Sequence, residues 1–433
     1  MKFFTLILFL ITSIYANTNK DFTIYKKEGN EKSHTLLVIG GIHGDEPGGY
    51  FAPAFLEKYY KIKKGSLWIA PSVNIDSMIA NQRGIYKDMN RKFSNIDKSD
   101  PDYKNVQKIK EIILDKKVDL VLNLHDGHGF YRQTYENAIF NPRAWGQATI
   151  IDQEKIHSLD KFGNLDEIAS MVRDNLNKNM LFKDYHSFGV KNTETQYKDE
   201  QQQLSLTFFA VTNDKPAFAI ETSKNISDLT EKVVYQLKSI EEFMKIMDIE
   251  FERDFDINSY EDVKKLVFDF GTVSINNNIK LDLSDIRKVL RFVPMQKDNN
   301  DFTFNHTLAN MKYVNGSYQI YVGNILVTTL FPQYFDIKNS TETIKIEVDN
   351  NKAIDTTFGN IVEVTDSFKI LKSDFRVNVI GFSKTGVDSE DGILLKKSDM
   401  VDSFSIDNNK QYYRVEFYKD NNFYGMITIK FKK

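Results

Sequence analysis

The stretch His34-Thr-Leu-Leu-Val-Ile-Gly-Gly-Ile-His43-Gly-Asp-Glu46 decides the fold class of this chain. It begins as a short apolar run and continues into glycines, which allow the backbone to turn tightly. Pro47 follows, and proline suits the first turn of a helix because its missing N–H costs little there. The stretch therefore predicts a buried strand, a tight loop and a helix over residues 46–60, which is the beginning of an α/β domain.

The alternation of strands and helices continues from this stretch to about residue 248. Further buried strands are predicted over residues 66–70, 118–124 and 216–220, and helices over residues 103–114 and 165–177. Ser227 is predicted to cap a final long helix. Strands that alternate with helices indicate a mixed, largely parallel sheet with helices on both faces.

The sequence changes character after about Phe251. Aromatic and β-branched residues alternate with polar ones, as in Lys265-Leu-Val-Phe-Asp-Phe and Ser317-Tyr-Gln-Ile-Tyr-Val, and Asn-rich turns such as Asn276-Asn-Asn separate them. This pattern is typical of β-strands. We expect two all-β domains, one over residues 251–339 and an immunoglobulin-like sandwich over residues 340–433.

Composition narrows the chemistry that the chain can use. The 433 residues include no Cys and seven His, and the formal net charge is −3. Disulfides, thiolate metal sites and cysteine nucleophiles are therefore excluded. The near-neutral charge gives no electrostatic reason to expect a nucleic-acid partner. Six of the seven His precede residue 190, so any metal or acid–base chemistry is expected in the first domain.

The N-terminal sequence predicts export. Residues 1–16 combine Lys2, an apolar run and a final Ala16, which is the pattern of a cleaved signal peptide. The alternative is a membrane anchor, but the run is shorter than the ~20 residues that a span requires. We therefore expect a mature protein over residues 17–433 that is not inserted in the membrane, and an export without disulfides suits a bacterial periplasm.

Two strand ends carry metal-ligating residue types. His43 and Glu46 follow the first buried strand, and His125 ends another. Two His and one Glu with an open position are the donor set of a catalytic zinc site. His128 is a rival for His125, and a capped helix with an exposed acid would explain the His43 and Glu46 pair equally well.

Other polar residues of the first domain fit hydrolytic chemistry. Glu221 follows the apolar run 216–220 and could act as a general base, although a salt-bridged edge acid is the alternative. Arg83 and Arg91, with Asn90 beside the latter, can hold a carboxylate and polarise a carbonyl. A solvated basic loop would explain the charges but not Asn90 or Asp88.

Taken together, these motifs resemble the zinc carboxypeptidase family, which also includes aspartoacylase and succinylglutamate desuccinylase. The order is H-x-x-E at 43–46, N-x-R at 81–83, D-x-N-R at 88–91, a strand-end His at 125 and a Glu at 221, and the resemblance covers roughly residues 20–248. It implies one zinc ion per chain and a zinc carboxypeptidase domain over residues 17–250.

The resemblance also implies a role for each motif residue. The zinc ligands would be His43, Glu46 and His125. Glu221 would be the general base and acid, and Arg83 would stabilise the oxyanion. The remaining implied roles are a grip on the substrate carboxylate by Asn90 and Arg91 and orientation of the first histidine by Asp88.

Export and two trailing β domains resemble, within this family, the murein D,L-carboxypeptidases of helical bacteria. That likeness implies removal of the terminal meso-diaminopimelate from the L-Ala-γ-D-Glu-meso-diaminopimelate stem, with an effect on cell shape. His128, Arg132, Arg143 and Trp145 are candidate pocket residues, with fold packing or surface exposure as the alternative, and no acidic or basic pocket floor is evident. Two further hypotheses are a zinc deacylase of N-acyl amino acids and a wall-binding protein with a relic pocket.

Overall fold

The apolar run after His34 lies at the centre of an eight-stranded sheet. The computed structural model describes residues 20–178, 186–338, 340–349 and 352–432. The strands of the first region are β1 (Tyr25–Glu28), β2 (Glu31–Ile39), β3 (Tyr60–Ala70), β4 (Leu120–Gly127), β5 (Phe130–Tyr131), β6 (Phe140–Asn141), β7 (Ala148–Ile151), β8 (Gly189–Asn192), β9 (Ala217–Ser223) and β10 (Glu250–Arg253). The sheet order is β1-β3-β2-β4-β9-β7-β8, and β10 also pairs with β3.

The sheet is mixed, with a parallel centre. Strand β2 pairs in parallel with both β3 and β4, and β4 pairs in parallel with β9. Strands β1 and β10 run antiparallel to β3, and β7 runs antiparallel to β9. The carboxyl ends of β2, β4 and β9 therefore meet at one edge, which is where ligands bind in sheets of this kind.

The helices of the first region cover this sheet. They are α1 (Pro47–Tyr59), α2 (Ile75–Ala80), α3 (Tyr103–Ile113), α4 (Leu165–Lys178), α5 (Thr195–Lys198), α6 (Leu206–Thr212), α7 (Leu229–Ile246) and α8 (Tyr260–Val267). Helix α7 packs against α1, α4 and α8, whereas α6 packs on β4 and β9. The predicted alternation of strands and helices is confirmed.

Two local predictions are wrong. The cap of α7 is Asp228, whose carboxylate accepts bonds from the backbone N–H groups of Thr230 and Glu231, so Ser227 is not the cap. The predicted strand at 265–270 begins inside helix α8. Ser259 caps that helix, and the buried Val263 and Val267 lie four residues apart on one of its faces. The alternating pattern at 265–270 therefore crosses the end of a helix.

The remainder of the chain is almost entirely β. A three-stranded and a four-stranded sheet are formed by β11 (Thr272–Ile275), β12 (Ile279–Asp282), β13 (Val289–Met295), β14 (Phe302–Phe304), β15 (Ala309–Val314), β16 (Ser317–Val322) and β17 (Ile325–Tyr334). Two four-stranded sheets follow, formed by β18 (Ile344–Val348), β19 (Lys352–Thr356), β20 (Ile361–Val364), β21 (Ser367–Ile370), β22 (Arg376–Val379), β23 (Leu395–Lys396), β24 (Tyr412–Lys419) and β25 (Asn422–Phe431). One buried cluster draws its side chains from both of these last sheets, so they form a sandwich.

The predicted domain boundaries and the immunoglobulin-like assignment stay predictions. Strand β10 extends past residue 250 and belongs to the first sheet. The boundary between the two β domains and the predicted signal peptide at 1–16 lie at or within residues outside the described ranges. No helix in the described ranges has the combined length and apolar character that a bilayer span requires.

Candidate metal centre and active-site cavity

The first candidate ligands gather where β2 and β4 end. His43 lies in the loop after β2, and Glu46 is the N-cap residue of α1. The Glu46 carboxylate makes no cap bond, so it is available to face the histidines. His125 lies near the end of β4, whose eight residues are all buried. The sheet therefore brings together three residues that are up to 82 positions apart in sequence.

The donor atoms of these residues form a tight triangle. The Nδ1 atoms of His43 and His125 lie 3.1 Å apart. Oε1 of Glu46 lies 3.0 Å from Nδ1 of His43, and its other oxygen, Oε2, lies 2.8 Å from Nδ1 of His125. Donors bound to one tetrahedral ion at ~2.0–2.2 Å are roughly 3.3 Å apart. The triangle therefore fits a single small cation after slight expansion.

The hydrogen bonds of His43 leave one of its ring nitrogens facing a position that suits a cation. Nε2 of His43 donates to Oδ1 of Asp88 at 2.9 Å, which leaves Nδ1 as an acceptor in the neutral ring. That acceptor faces the Glu46 carboxylate, and only a proton or a cation stabilises two acceptors in contact. Burial disfavours the cationic form of His43, but Glu46 and Asp88 outweigh it and raise its pKa to about 9. His43, Glu46 and His125 are all buried, as expected for a metal centre.

Glu46 is held as a carboxylate by its surroundings. Burial favours its neutral form, but the two histidines outweigh burial and lower its pKa well below the usual value. The backbone N–H of Asp126 donates to Oε2 at 3.2 Å, and Nη1 of Arg83 lies 3.2 Å from Oε1. An ionised carboxylate is the form that ligates a metal.

Glu221 lies beside this centre on the neighbouring strand. In the β4–β9 register it is paired with His125. Burial and the negative charge of Glu46 raise its pKa well above the usual value. A Cβ at Gly127 would lie 2.7 Å from Oε2 of Glu221, so the glycine leaves the space that the carboxylate occupies. A buried acid with a raised pKa next to a cation site has the properties of a general base and acid.

The candidate metal ligands line a cavity with a volume of about 320 Å³. The two predicted arginines, Arg83 and Arg91, line it as well. Arg83 is about half exposed, and its Nε donates to Asp88 at 3.0 Å. Asn90 accepts the backbone N–H of Leu206 at 3.0 Å, and Nη1 of Arg91 donates to the Asn90 carbonyl at 3.0 Å. Arg83, Asn90 and Arg91 therefore face one space together with Glu221.

The remaining candidate residues differ in whether they line this cavity. His128 and Trp145 line the cavity. Arg132 does not line it, because it bonds the carbonyls of Tyr131 and Ser187 and lies over the Phe140 ring. Arg143 is exposed outside the lining.

Several residues of the site were not found from the sequence. Asp126 is buried beside Lys232 at 3.2 Å and accepts the Gly48 N–H at 3.0 Å, so it joins β4 to α1 and α7. Nε2 of Gln236 donates to the carbonyl of His125 at 2.8 Å. Asp126 follows His125 directly but belongs to no motif, and Gln236 lies 111 positions beyond His125, so no spacing rule identifies either residue.

Asp152 is an acidic residue of the cavity that was not identified from the sequence, where no pocket floor was evident. It lines the cavity and is 5% exposed. It directly follows the apolar strand β7, so the rule that singled out Glu221, an acid after a buried strand, would have identified it. Asn123 also lines the cavity, and its buried amide has no hydrogen-bond partner among the described residues.

The fold and the site together identify the class of protein. A buried His-Glu-His donor set at parallel strand ends, with an acid and arginines around one cavity, is the arrangement of a metallocarboxypeptidase. The model of the family described as the catalytic domain of carboxypeptidases controlling helical cell shape matches residues 1–267. A second model, for the C-terminal domain of metallo-carboxypeptidases, matches residues 337–432. The chain belongs to this family of cell-shape carboxypeptidases.

Solved structures similar to the whole chain agree with this assignment. The apo form of the cell shape determinant protein Csd4 of Helicobacter pylori is 34% identical, with a TM-score of 0.87 over 95% of this chain and 100% of that one. Its tripeptide-bound form is 35% identical with the same coverage and TM-score. The form bound to mDAP, described as a D,L-carboxypeptidase, is 35% identical over 94% of this chain and 100% of that one, with a TM-score of 0.87. The comparison with curated proteins gave no match.

Proposed function

We propose that this chain is a periplasmic zinc D,L-carboxypeptidase that trims peptidoglycan stem peptides. It would remove terminal meso-diaminopimelate from the L-Ala-γ-D-Glu-meso-diaminopimelate tripeptide and leave the dipeptide. The observation that carries the proposal is the buried donor triangle of His43, Glu46 and His125, with Glu221 paired beside it. The tripeptide and mDAP complexes of Csd4 support the substrate.

Zinc is the metal that best suits the donor set. Two imidazole nitrogens and one carboxylate oxygen are typical catalytic zinc ligands, and the chain has no thiolate that would select a softer ion. When bound, zinc would polarise the scissile carbonyl and lower the pKa of an attacking water from ~15.7 towards ~7.

Glu221 would move the proton during hydrolysis. As a base it would take a proton from the attacking water, whose oxygen bonds to the carbonyl carbon. The C–N bond then breaks, and the same carboxyl group returns the proton to the leaving amine of diaminopimelate. The raised pKa of Glu221 suits both steps, because the group can hold the proton between them.

The basic residues of the cavity would bind the two negative charges of the reacting substrate. Arg83 lies against Glu46 and would face the oxyanion, a contact of the kind commonly worth ~3–4 kcal/mol of barrier. Arg91 and Asn90 would hold the terminal carboxylate, and Asp88 would orient both His43 and Arg83. His128 and Trp145 would complete the substrate wall, whereas Arg132 lies outside the cavity lining.

The test compares Glu221→Gln with the native protein on purified tri-, tetra- and pentapeptide muropeptides. We expect tripeptide trimming to fall by about 100-fold or more, in line with the usual contribution of a general base. Zinc content should stay near one per chain, because Glu221 is not among the ligands. The matched control is Glu111→Gln, an exposed acid on α3. Normal turnover by Glu221→Gln would refute the assigned role.

Two other functions are distinguished by the same assay. A deacylase of N-acyl amino acids shares the core, so those compounds belong in the substrate panel. Release of acyl groups without muropeptide trimming would favour it. A relic that binds the wall without catalysis predicts no bound zinc after mild dialysis and no hydrolysis. Periplasmic location would be tested by fractionation and by the N-terminal sequence of the mature chain, expected to begin after Ala16.

A further inference from the structure

The floor of the active-site cavity carries a buried carboxylate that the proposed chemistry does not use. We infer that Asp152 binds the ammonium group at the far end of the substrate's C-terminal side chain, and so selects diamino acids at that position. The inference rests on the proposed function, because it names the feature of the substrate that the same cavity recognises.

Strand register places Asp152 at a distance suited to a long side chain. Ala148 of β7 is paired with Glu221, and Ile150 is paired with Ala219. Asp152 lies two residues after Ile150, and residues two apart in an extended chain are on the same face. At ~3.3 Å per residue, its backbone lies roughly 13 Å along the strand from the row that holds Glu221. The row that holds Glu221 and the position of Asp152 are therefore well separated along the strand, which leaves room for a side chain of several carbons between them.

The wall between these two points is apolar. Ala148, Ile150 and Ala219 form a small buried cluster, and Trp145 packs against it. Ile150, Ala219 and Trp145 all line the cavity. A surface of this kind favours methylene groups, since the removal of apolar surface from water is favourable. The cavity thus offers a contact for an aliphatic chain between the reacting centre and Asp152.

The carboxylate at the end of this wall has no cationic partner among the described residues. The hydroxyl of Thr195 donates to it, and Thr207 also bonds to it. The charged residue that acts on it is Asp199, a second acid, so burial and Asp199 together raise the pKa of Asp152 to about 6. A buried carboxylate held only by hydroxyls is destabilised relative to one paired with a cation. A substrate ammonium would supply that pairing.

Asp152 also borders a more open groove near Glu154, Lys155 and His157. The carboxylate is assigned to the active-site side because Thr207, one of its two hydroxyl partners, lines the active-site cavity and not that groove. Substrate bound at Glu221 therefore reaches Asp152 from inside the cavity.

The experiment compares L-Ala-γ-D-Glu peptides that end in meso-diaminopimelate or in 2-aminopimelate. The second compound keeps the chain length and the distal carboxylate but lacks the distal amine. We expect the native enzyme to cleave the diaminopimelate peptide with a kcat/KM about 10- to 100-fold higher, the usual range for a hydrogen bond to a charged group. Asp152→Asn should lower that kcat/KM by a similar factor and leave the aminopimelate peptide unchanged. The matched control, Glu154→Gln, should alter neither.

The possible outcomes distinguish a failure of the inference about Asp152 from a failure of the proposed function. Equal kcat/KM for both peptides with the native enzyme would overturn the inference without any variant, even if Asp152→Asn failed to fold. An equal loss on both peptides in a folded Asp152→Asn protein would mean that Asp152 only supports the fold, and would also overturn it. If the native enzyme cleaved neither peptide, the proposed function itself would fail.

Discussion

At the residue scale, Asp88 connects the candidate metal centre to the residues that are proposed to face substrate. Its Oδ1 accepts bonds from Nε2 of His43 and the backbone N–H of Asn90, both at 2.9 Å. Its Oδ2 accepts Nε of Arg83 at 3.0 Å. Burial opposes its charge, but His43 and Arg83 outweigh it and hold its pKa well below the usual value. One carboxylate thus fixes the ring tautomer of a ligand and the direction of the arginine.

Asp88→Asn should therefore weaken metal binding more than it weakens the fold. The amide cannot accept both charge-assisted bonds, and loss of such a partner typically costs 10- to 100-fold in metal affinity. Competition with a chromophoric chelator would measure this change. The control is Asp160→Asn, an exposed loop acid, which should bind zinc as the native protein does. Unchanged affinity in Asp88→Asn would contradict the role.

Asp152 predicts a pH dependence of stability in the ligand-free protein. Its folded pKa of about 6 lies above the ordinary value of 3.8, so the unfolded chain releases this proton first as the pH rises. Stability is therefore lost between about pH 4 and pH 6, by an amount of about 3 kcal/mol for a shift of this size. Asp152→Asn removes the loss, so it should be more stable than the native protein at pH 7.

The measurement is chemical unfolding of both proteins at pH 4 and pH 7. Because every other titrating group is shared, the difference between the two proteins isolates Asp152. The difference should grow with pH. A constant or shrinking difference would contradict the buried, unpaired state of this carboxylate.

At the element scale, the end of β4 has no room for a side chain at Gly127. A Cβ at Gly127 would lie 2.6 Å from Cβ of Trp145, 2.7 Å from Oε2 of Glu221 and 2.9 Å from the backbone N of Gly146. Contacts below 3.0 Å force a displacement, and two of these partners are not free ends of flexible side chains. The glycine therefore allows β4, β9 and the following loop to meet around the base.

Gly127→Ala should reduce peptide hydrolysis by about 100-fold or more, since the displaced group is the proposed general base, Glu221. Overpacking of this kind also costs ~1–3 kcal/mol of stability. Gly316→Ala is the matched control, because its φ of +78° makes alanine costly there although no atom lies within 4 Å of the added Cβ. The control should lose stability and keep activity, as measured by unfolding and muropeptide turnover. Full activity in Gly127→Ala would contradict the assigned position of Glu221.

The start of α7 offers a paired test of its cap. Asp228 accepts the N–H groups of Thr230 and Glu231, at 2.7 and 3.3 Å. Asp228→Ala should lower the free energy of unfolding by ~1 kcal/mol, the usual value of an N-cap. Ser227→Ala, one residue earlier and exposed, should have almost no effect. Equal losses would contradict the assignment of the cap.

At the scale of the whole molecule, the chain has two large cores. One contains the side chains of the first sheet and its helices together with those of strands β11–β17. It also reaches Tyr412, Tyr418 and Phe423 of the last two strands. The other core lies inside the final sandwich. Direct bonds join the middle strands to the peptidase region, for example Oγ1 of Thr307 to Glu57 at 2.7 Å.

Two cores predict two unfolding transitions, of which the metal affects one. All three metal-ligating residues belong to the first region, and a metal that binds only the folded state stabilises it. Removal of the bound metal by a chelator should lower the midpoint of that transition and abolish hydrolysis, and added zinc, the proposed metal, should restore both. Calorimetry would measure the midpoints, with Glu46→Gln as a control that should no longer respond to zinc. A chelator shift confined to the other transition would contradict this division.

Much of the fold could be predicted because local patterns are strong in this chain. Strands β4 and β9 are buried throughout and begin with apolar runs, and α1 begins at the proline that marks it. Prediction failed where neighbouring signals compete, as for Ser227 beside Asp228. It also failed at 265–270, where six residues alternate across a helix end.

The sequence by itself determined the fold class and the candidate donors, because strand, loop and helix signals and the residue types His43, Glu46, His125 and Glu221 are local. Only the tertiary structure decided which polar residues share the cavity. It placed Asp152 and Asn123 on the cavity lining and left Arg132 outside that lining. The physical reason is that strand order and register set these distances, and both depend on contacts between residues that are far apart in the chain.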